Sequence, residues 1–317
     1  MRGGIGYQIT EVFNKSGIFT PGRSKHEAKR AAREGGARTW HEIGSRLSIH
    51  SYNTAEVYKD VWHRMGRFCK KKTGLRDIEK LTGGHVLEYC LSRVADGIAY
   101  DSFETEAAAI GKLQLALNLY AGKFETGMRY DFHDALERAR AEARQELRRN
   151  KRSRAYNDPE AVIRAIENDG HRLAALIQYE GDARISEATH IKESQLKGMA
   201  KDPLTLEEKG LIHLDFTKGG KPRDIMVSIK TYHLLETAIR DGGGLFRVSQ
   251  HAYVRAVKKA CAKAGAAYHG PHGFRWSYVH NRMSEAMRHG CSYEQALLST
   301  AKELGHERPD ITLHYCS

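Results

Sequence analysis

Four short, widely separated stretches carry side chains suited to work on a phosphodiester. They are Ala183-Arg184-Ile185-Ser186-Glu187, Lys218-Gly219-Gly220-Lys221, His272-Gly273-Phe274-Arg275, and Gly305-His306 with Tyr315 nine residues beyond His306. Breaking such a bond gathers negative charge on the non-bridging oxygens, and a site without a metal must meet that charge with protein cations. Arg184 and Arg275 suit this task, because each guanidinium is a planar fork of donors that stays charged at any working pH. A tyrosine hydroxyl can attack and form a covalent link, and a histidine can hold or pass its proton. Taken singly, each stretch also has an ordinary explanation. Arg184 and Glu187 could be a surface i,i+3 ion pair, Lys218 an exposed turn residue, His272 a satisfied loop histidine, and Tyr315 a packing aromatic.

Length and charge frame these residues. A chain of 317 residues with 40% hydrophobic content is long enough for two domains that each bury a core. Lys and Arg outnumber Asp and Glu by 51 to 39, and the net charge of +12 favours a polyanionic partner. Nucleic acid fits better than a membrane surface: no basic amphipathic helix with a strong apolar face is expected near the N-terminus, and no apolar run approaches the roughly 18 to 20 residues of a span. The N-terminus also lacks the apolar core of a signal peptide, so a cytoplasmic protein is expected. Cys69, Cys90, Cys261, Cys291 and Cys316 are scattered and never form a C-x-x-C pair. Neither a disulfide framework nor a zinc site is expected. Among the 17 histidines only His269 and His272 are closely spaced with potential ligand character, and there is no H-E-x-x-H, so no metal and no cofactor are expected.

The elements that must position the chemistry follow from the periodicity. Residues 1–45 are rich in Gly and positive charge, with one short helix over 24–34 and little to fill a core, and read as an arm or appendage. From Asn53 onward, Val57, Tyr58, Val61, Trp62, Met65 and Phe68 recur at spacings of three and four and predict a core helix. Thr82 caps a second helix carrying Val86, Tyr89, Cys90 and Val94, Asp101 or Ser102 caps a third running to Tyr120, and a fourth covers 133–149. Residues 46–150 are therefore expected to form a helical bundle. In its last helix Arg138, Arg140, Arg144, Arg148 and Arg149 lead into Lys151, Arg152 and Arg154, opposed only by Glu142 and Glu146. That run is either a solvated face or a phosphate-contacting connector. Residues 151–157 are expected as a basic linker, with Arg144, Arg148, Arg149, Lys151, Arg152 and Arg154, and Lys221 of the later Lys-Gly-Gly-Lys stretch, as nucleic-acid contacts.

Asp158-Pro159 then opens a second domain over 158–317, of mixed helix and strand. Ile212, Leu214 and Phe216 alternate with polar residues, and the alternation resumes at Ile225, Val227 and Ile229, which predicts a β-hairpin with the Lys-Gly-Gly-Lys tip. Helices are expected over 249–264, 273–288 and 292–304, the last opened by a Ser292/Gln295 capping box, and Pro309 opens a short helix carrying Tyr315. The expected fold is α+β, mainly α with a small β-hairpin or sheet in the second domain.

The ordered set Arg184, Lys218, His272-x-x-Arg275, Gly305-His306 and Tyr315 resembles the active site of the tyrosine recombinase, or phage integrase, family. All six positions are filled across residues 155–315, and the preceding bundle resembles the core-binding domain that such enzymes place across the duplex. The resemblance implies a site-specific DNA recombinase in which Tyr315 attacks in line, leaving a 3′-phosphotyrosyl link and a free 5′-hydroxyl. The phosphodiester energy is thereby kept for rejoining without ATP. It assigns the proton for the departing oxygen to Lys218, with Lys221 at the other side of the same tip an open alternative. Arg184 and Arg275 clamp the transition state, His272 accepts or holds the phenolic proton, His306 hydrogen-bonds a non-bridging oxygen, and Glu187 orients Arg184 or His272. The implied partners are double-stranded DNA with specific sites, further copies of the chain as a tetramer on DNA, and accessory DNA-bending or directionality factors. The implied setting is the nucleoid, for a bacterial or phage-encoded protein.

Two features depart from the family pattern. Thirty-one residues separate Arg275 from His306, which predicts a loop extension around Arg288-His289-Gly290-Cys291-Ser292. Only Cys316 and Ser317 follow Tyr315, where relatives often carry a tail that docks on a neighbouring subunit; either the sequence stops short of such a tail or another segment, such as the N-terminal arm, makes that contact. Two alternative functions share much of this pattern: DNA relaxation of the type IB topoisomerase kind, and a DNA-binding accessory factor with a silent site.

Overall fold

The computed structural model describes residues 1–149, 153–215, 222–305, 312, 313 and 315, and the chain divides into two compact units, Met1–Asn150 and Lys151–Ser317. In the first unit, Ile5, Ile9, Val12 and Phe13 lie on one face of helix α1 (Ile5–Lys15), and all four are buried against α4 (Tyr52–Thr73) and α6 (Tyr100–Lys123). This corrects the expectation of an N-terminal arm with little to fill a core: the segment supplies an amphipathic helix that completes the bundle. Helix α2 (Lys25–Glu34), capped by Ser24, and α3 (Trp40–Arg46), held by a Thr39/Glu42 capping box, close over a small cluster of Ala32, Ala37, Ile43 and Leu47.

On α4 the expected stripe holds at Val61, Trp62 and Met65, which are buried, and the Trp62 indole donates to the Ala109 carbonyl at 2.7 Å. Val57 is 46% exposed, because at about 100° per residue it falls outside the stripe centred on Met65 and Cys69. Helix α5 (Gly83–Ala95) begins at the Thr82 cap and buries Val86, Tyr89, Cys90 and Val94. Helix α6 starts one turn position earlier than expected, with Ala99 rather than Asp101 or Ser102 at its N-cap. Buried Glu106 joins three helices, accepting from Arg64 on α4 and from Tyr89 and Arg93 on α5.

Helix α7 (His133–Glu146) ends before Arg148 and Arg149. Its basic run is not uniform: Arg140 is paired with Glu104 and Glu137, and the Arg149 guanidinium lies 4.4 Å from the Tyr100 ring centroid. Lys151 and Arg152 lie outside the described residues. Among the described residues no helix is long and apolar enough to cross a membrane.

The second unit starts with α8 (Pro159–Arg164), capped by Asp158, and α9 (Asp169–Gly181), followed by the single turn α10 (Ile185–Ala188). Strand β1 (His190–Lys192) is followed by β2 (Leu196–Lys201), β3 (Glu208–Leu214) and β4 (Arg223–Val227). The last three form an antiparallel sheet in the order β2-β3-β4, with Ile212 opposite Ile225 and Leu214 opposite Arg223. The two strands expected of the hairpin are thus present and paired, with a third strand that the sequence pattern did not announce. Ile229 is not in strand: it opens α11 (Ile229–Asp241), behind a Ser228 cap, and is 40% exposed. Phe216, Lys218 and Lys221 lie outside the described residues.

Strand β5 (Leu245–Arg247) pairs with β1, and α12 (Gln250–Lys263), α13 (His272–Arg288) and α14 (Tyr293–Glu303) complete the unit, α14 with the expected Ser292/Gln295 box. The architecture is α+β, mainly helical with small antiparallel sheets. The stretch 289–292 between α13 and α14 is a short turn, so the extra length between Arg275 and His306 is taken up by helix rather than by a loop extension. Pro309 lies outside the described residues, while Thr312, Leu313 and Tyr315 have helical backbone.

Two packing details yield measurable consequences. Lys112 on α6 donates to the carbonyls of Gly44 and Leu47 at the end of α3, and burial, reinforced by Lys25, lowers its pKa to about 8. A lysine whose folded pKa lies below its unfolded value near 10.4 penalises the charged folded state, so stability is regained as pH rises between those two values. The thermal midpoint of the wild type is expected to rise from pH 8 to pH 10 relative to that of Lys112→Met. In the second unit the Tyr232 ring on α11 lies directly on Gly210 of β3, where a Cβ would stand 2.2 Å from Tyr232 Cδ2. Gly210→Val is expected to destabilise the chain by about 3 kcal/mol in urea denaturation, the upper end of an overpacking strain.

Candidate active site

The site is assembled where α9, α10, the hairpin, α13 and α14 converge. Helix α9 ends in Asp182, a buried residue with φ of 58°, and this left-handed turn reverses the chain so that Arg184 takes the N-cap of α10. Helix α13 begins at His272, which is exposed, and buries Arg275 to 1% one turn later. Between them Gly273 is required by a close crossing: a Cβ there would stand 2.7 Å from the Tyr156 ring and 2.9 Å from the Arg154 carbonyl. Tyr156 anchors that crossing by donating from its hydroxyl to the Gly270 carbonyl and from its backbone N–H to Ser277. Residues 153–156, expected as linker, are therefore packed within the second unit, and of them Arg154 keeps an exposed side chain.

The two arginines are held by carboxylates. Arg184 Nη1 donates to Glu187 Oε1 at 2.9 Å, and the Arg184 backbone N–H donates to Glu187 Oε2 at 2.8 Å. Burial alone would raise the Glu187 pKa, but the Arg184 N–H, the Arg223 charge and the Arg184 guanidinium outweigh it and hold the carboxyl below the usual range. Arg275 Nη2 lies 2.9 Å from Asp182 Oδ2, and its Nη1 donates to the Asp182 carbonyl at 2.6 Å. Burial pushes the Asp182 carboxyl up to about 6 against the pull of Arg275, Arg223 and Arg184.

Tyr315 is 8% exposed and rests on α13. Its ring centroid is 4.9 Å from that of Trp276, its carbonyl accepts from His280 Nε2 at 2.6 Å, and its hydroxyl lies 3.4 Å from His272 Nε2. Burial lowers the pKa of Arg275, with Arg184 and Arg223 adding to the shift, while Asp182 and a Tyr315 phenolate would each favour its charged form. The structure therefore brings Arg184, Glu187, His272, Arg275 and Tyr315 to one locality. His306, Lys218 and Lys221 lie outside the described residues, although Gly305, just before His306, has its Cα side within 3.5 Å of Arg223 Cδ for an added Cβ.

Several residues at the site had no signal in the sequence reading. Asp182 and Arg223 are buried ion-pair partners of the expected residues, and Trp276 and His280 seat Tyr315. A second buried cluster sits alongside: Arg282 on α13 meets Asp202 and Glu303, Lys209 meets Asp202, and the Tyr278 hydroxyl donates to Glu303. Its spacing signal is the set Trp276, Val279, Met283 and Ala286, whose inward face also carries Arg275 and Arg282. Among the described residues no three His, Cys, Asp or Glu side chains come together to hold a metal ion.

No family model matches the sequence, and no curated protein matches it. Solved structures do match. The Tn1549 transposon integrase in complex with transposon right-end DNA aligns over 98% of this chain and 95% of its own, at 13% identity and a TM-score of 0.54. The same integrase in complex with circular-intermediate DNA aligns over 97% and 94%, at 15% identity and a TM-score of 0.53. A crystal structure of XerA recombinase aligns over 92% and 93% at 15% identity, with a TM-score of 0.37 that is too low to add to this. The chain has the fold of the Tn1549 integrase.

The crossing at Gly273 is open to a direct test. Gly273→Ala is expected to lower the thermal midpoint by the equivalent of about 1 to 3 kcal/mol, because backbone as well as a ring must move. Differential scanning calorimetry of the variant checks this, and an unchanged midpoint would show that the Arg154–Tyr156 crossing yields freely.

Proposed function

We propose that this chain is a tyrosine recombinase, a site-specific enzyme that cuts and rejoins double-stranded DNA through a 3′-phosphotyrosyl intermediate, without metal or ATP. The observation that carries the reading is the placement of Tyr315: its hydroxyl is 3.4 Å from His272 Nε2, on the helix that also carries Arg275. The fold shared with an integrase solved on transposon DNA supports the same reading, as does the net charge of +12.

In this mechanism Arg184 and Arg275 bind the non-bridging oxygens of the scissile phosphate. Their carboxylate partners leave other N–H donors of each fork for the phosphate, since a guanidinium offers five. His272 takes the phenolic proton as the Tyr315 oxygen attacks phosphorus, and the phenolate is stabilised by the neighbouring Arg275 charge. The 5′-oxygen leaves with a proton from Lys218 or Lys221 at the hairpin tip, and His306 hydrogen-bonds the phosphate. A 5′-hydroxyl from another strand then reverses the steps on the phosphotyrosyl link, so no energy source is consumed. Arg144, Arg148 and Arg154 remain the strongest candidates for backbone contacts, with Lys151 and Arg152 beside them in sequence. Arg149 is the weaker member of the group, because its guanidinium is stacked on Tyr100. Two paired sites and four copies of the chain complete the exchange.

The test is covalent capture. The full chain is incubated with a library of nicked duplexes of randomised sequence, and detergent-resistant protein–DNA adducts are isolated and sequenced. The expected result is a sequence-selective adduct that forms equally well with a chelator present and is absent with Tyr315→Phe. An adduct that persists in Tyr315→Phe overturns the assignment, and relaxation of supercoiled plasmid with no sequence preference moves it to a topoisomerase.

A further inference from the structure

Five side chains in the second unit form one unbroken line of ion pairs. Arg184 meets Glu187 at 2.9 Å, Glu187 meets Arg223 at 3.0 Å, Arg223 meets Asp182 at 3.0 Å, and Asp182 meets Arg275 at 2.9 Å. The three middle side chains are 2%, 9% and 1% exposed, so the line runs through the interior and solvent does little to screen it.

Arg223 is the junction. Its Nη1 donates to Asp182 Oδ2 and to the Glu303 carbonyl, each at 3.0 Å, and its Nη2 donates to the Asp182 carbonyl at 2.7 Å and to Glu187 Oε2 at 3.0 Å. These partners belong to the end of α9, to α10 and to the end of α14. Arg223 itself opens β4, two residues after Lys221. One side chain thus ties together the segments that carry Arg184, the hairpin lysines and His306, and through Asp182 it reaches Arg275.

We propose that Arg223 and Asp182 are positioning residues that fix the separation and orientation of the two phosphate-binding arginines, Arg184 and Arg275. The proposal rests on the strand-transfer reading of the site. The residue types fit the role. Four acceptors on three chain segments need a planar fork of donors, and a lysine, with one compact ammonium, cannot meet all four. Asp182 holds its partner at two points, because in its left-handed turn both the carboxylate and the carbonyl meet the Arg275 guanidinium. That backbone conformation is one a glycine would adopt at less cost, so an aspartate there is strain retained alongside a use for its carboxylate.

Two measurements on the full chain test this. In the first, nitrogen-15 NMR follows the Arg275 guanidinium. Its Nη protons are expected to be individually resolved in the wild type and rotationally averaged in Asp182→Asn. Asp182→Gly, which suits the left-handed backbone, should behave as Asp182→Asn does and guards against an effect of misfolding. Averaged signals in the wild type, or resolved ones in both variants, would overturn the proposal. In the second, the duplex that the wild type captures from the randomised library is presented to Arg223→Lys. Its affinity is expected to hold, and at a temperature where circular dichroism shows the variant folded its adduct formation is expected to slow by about a hundredfold, the cost of a misplacement near 1 Å at a reacting centre. A rate that is unchanged, or that falls only in step with affinity, would count against positioning. Should the wild type capture no duplex, the strand-transfer reading fails, and the NMR measurement still decides whether Asp182 fixes Arg275.

Discussion

Like charges gathered in a protein interior repel strongly, and the second unit is organised around that constraint. Burial disfavours the charge on Arg275 most, and Arg184 and Arg223 lie close enough for their charges to add to that penalty. The carboxylates of Asp182 and Glu187 offset it by alternating with the guanidinium groups, which is the arrangement in which buried charges are tolerated. Three cations against two anions leave one net positive charge among the five, in a place where an incoming anion would complete the balance.

The same logic extends to the neighbouring cluster. Glu303 belongs to both networks: its side chain is held by Arg282 and Tyr278, and its backbone carbonyl accepts from Arg223. The C-terminal end of α14 is therefore fixed from two directions just before Gly305 and His306. Hydrophobic packing supplies the frame on which the charges are mounted. Tyr232 lies against Gly210 and accepts from the Gly198 N–H, so α11 is locked on the sheet that carries Arg223. Tyr156 does the equivalent work at the start of α13, where a side chain on residue 273 would push it away.

Much of this was legible in the sequence, and the failures have physical causes. Caps and stripes were readable because they are local: Thr82, Asp158 and Ser292 cap the helices they were expected to cap, and the Trp62 stripe faces inward. Helix α1 was missed because the glycines and charges of residues 1–45 mask four apolar residues at helical spacing. Strand β2 has no alternation to read, since Leu-Lys-Gly-Met-Ala-Lys lies half exposed across its length. At the site, the residues with distinctive chemistry formed an ordered set, and of these Arg184, Glu187, His272, Arg275 and Tyr315 lie together in the fold. Asp182 and Arg223 could not be found in this way, because a single charged residue in sequence reads as solvated, and burial with a partner 41 positions away is a property of the fold alone.

The buried ion-pair line also bears on how such a chain can change over generations. Removing Asp182 or Glu187 leaves a guanidinium charge uncompensated in the interior, at a cost on the order of 3 to 5 kcal/mol, a large part of a typical domain's stability, and removing Arg223 leaves four acceptors without their donor. Asp182, Glu187 and Arg223 are thus expected to be inherited as a block, with viable replacements arriving as compensated pairs rather than single steps. Among the described residues, the exposed Arg144 and Arg154 enter no such buried line. A lineage descended from this chain would therefore drift readily at such exposed positions while its interior charge pattern stayed fixed.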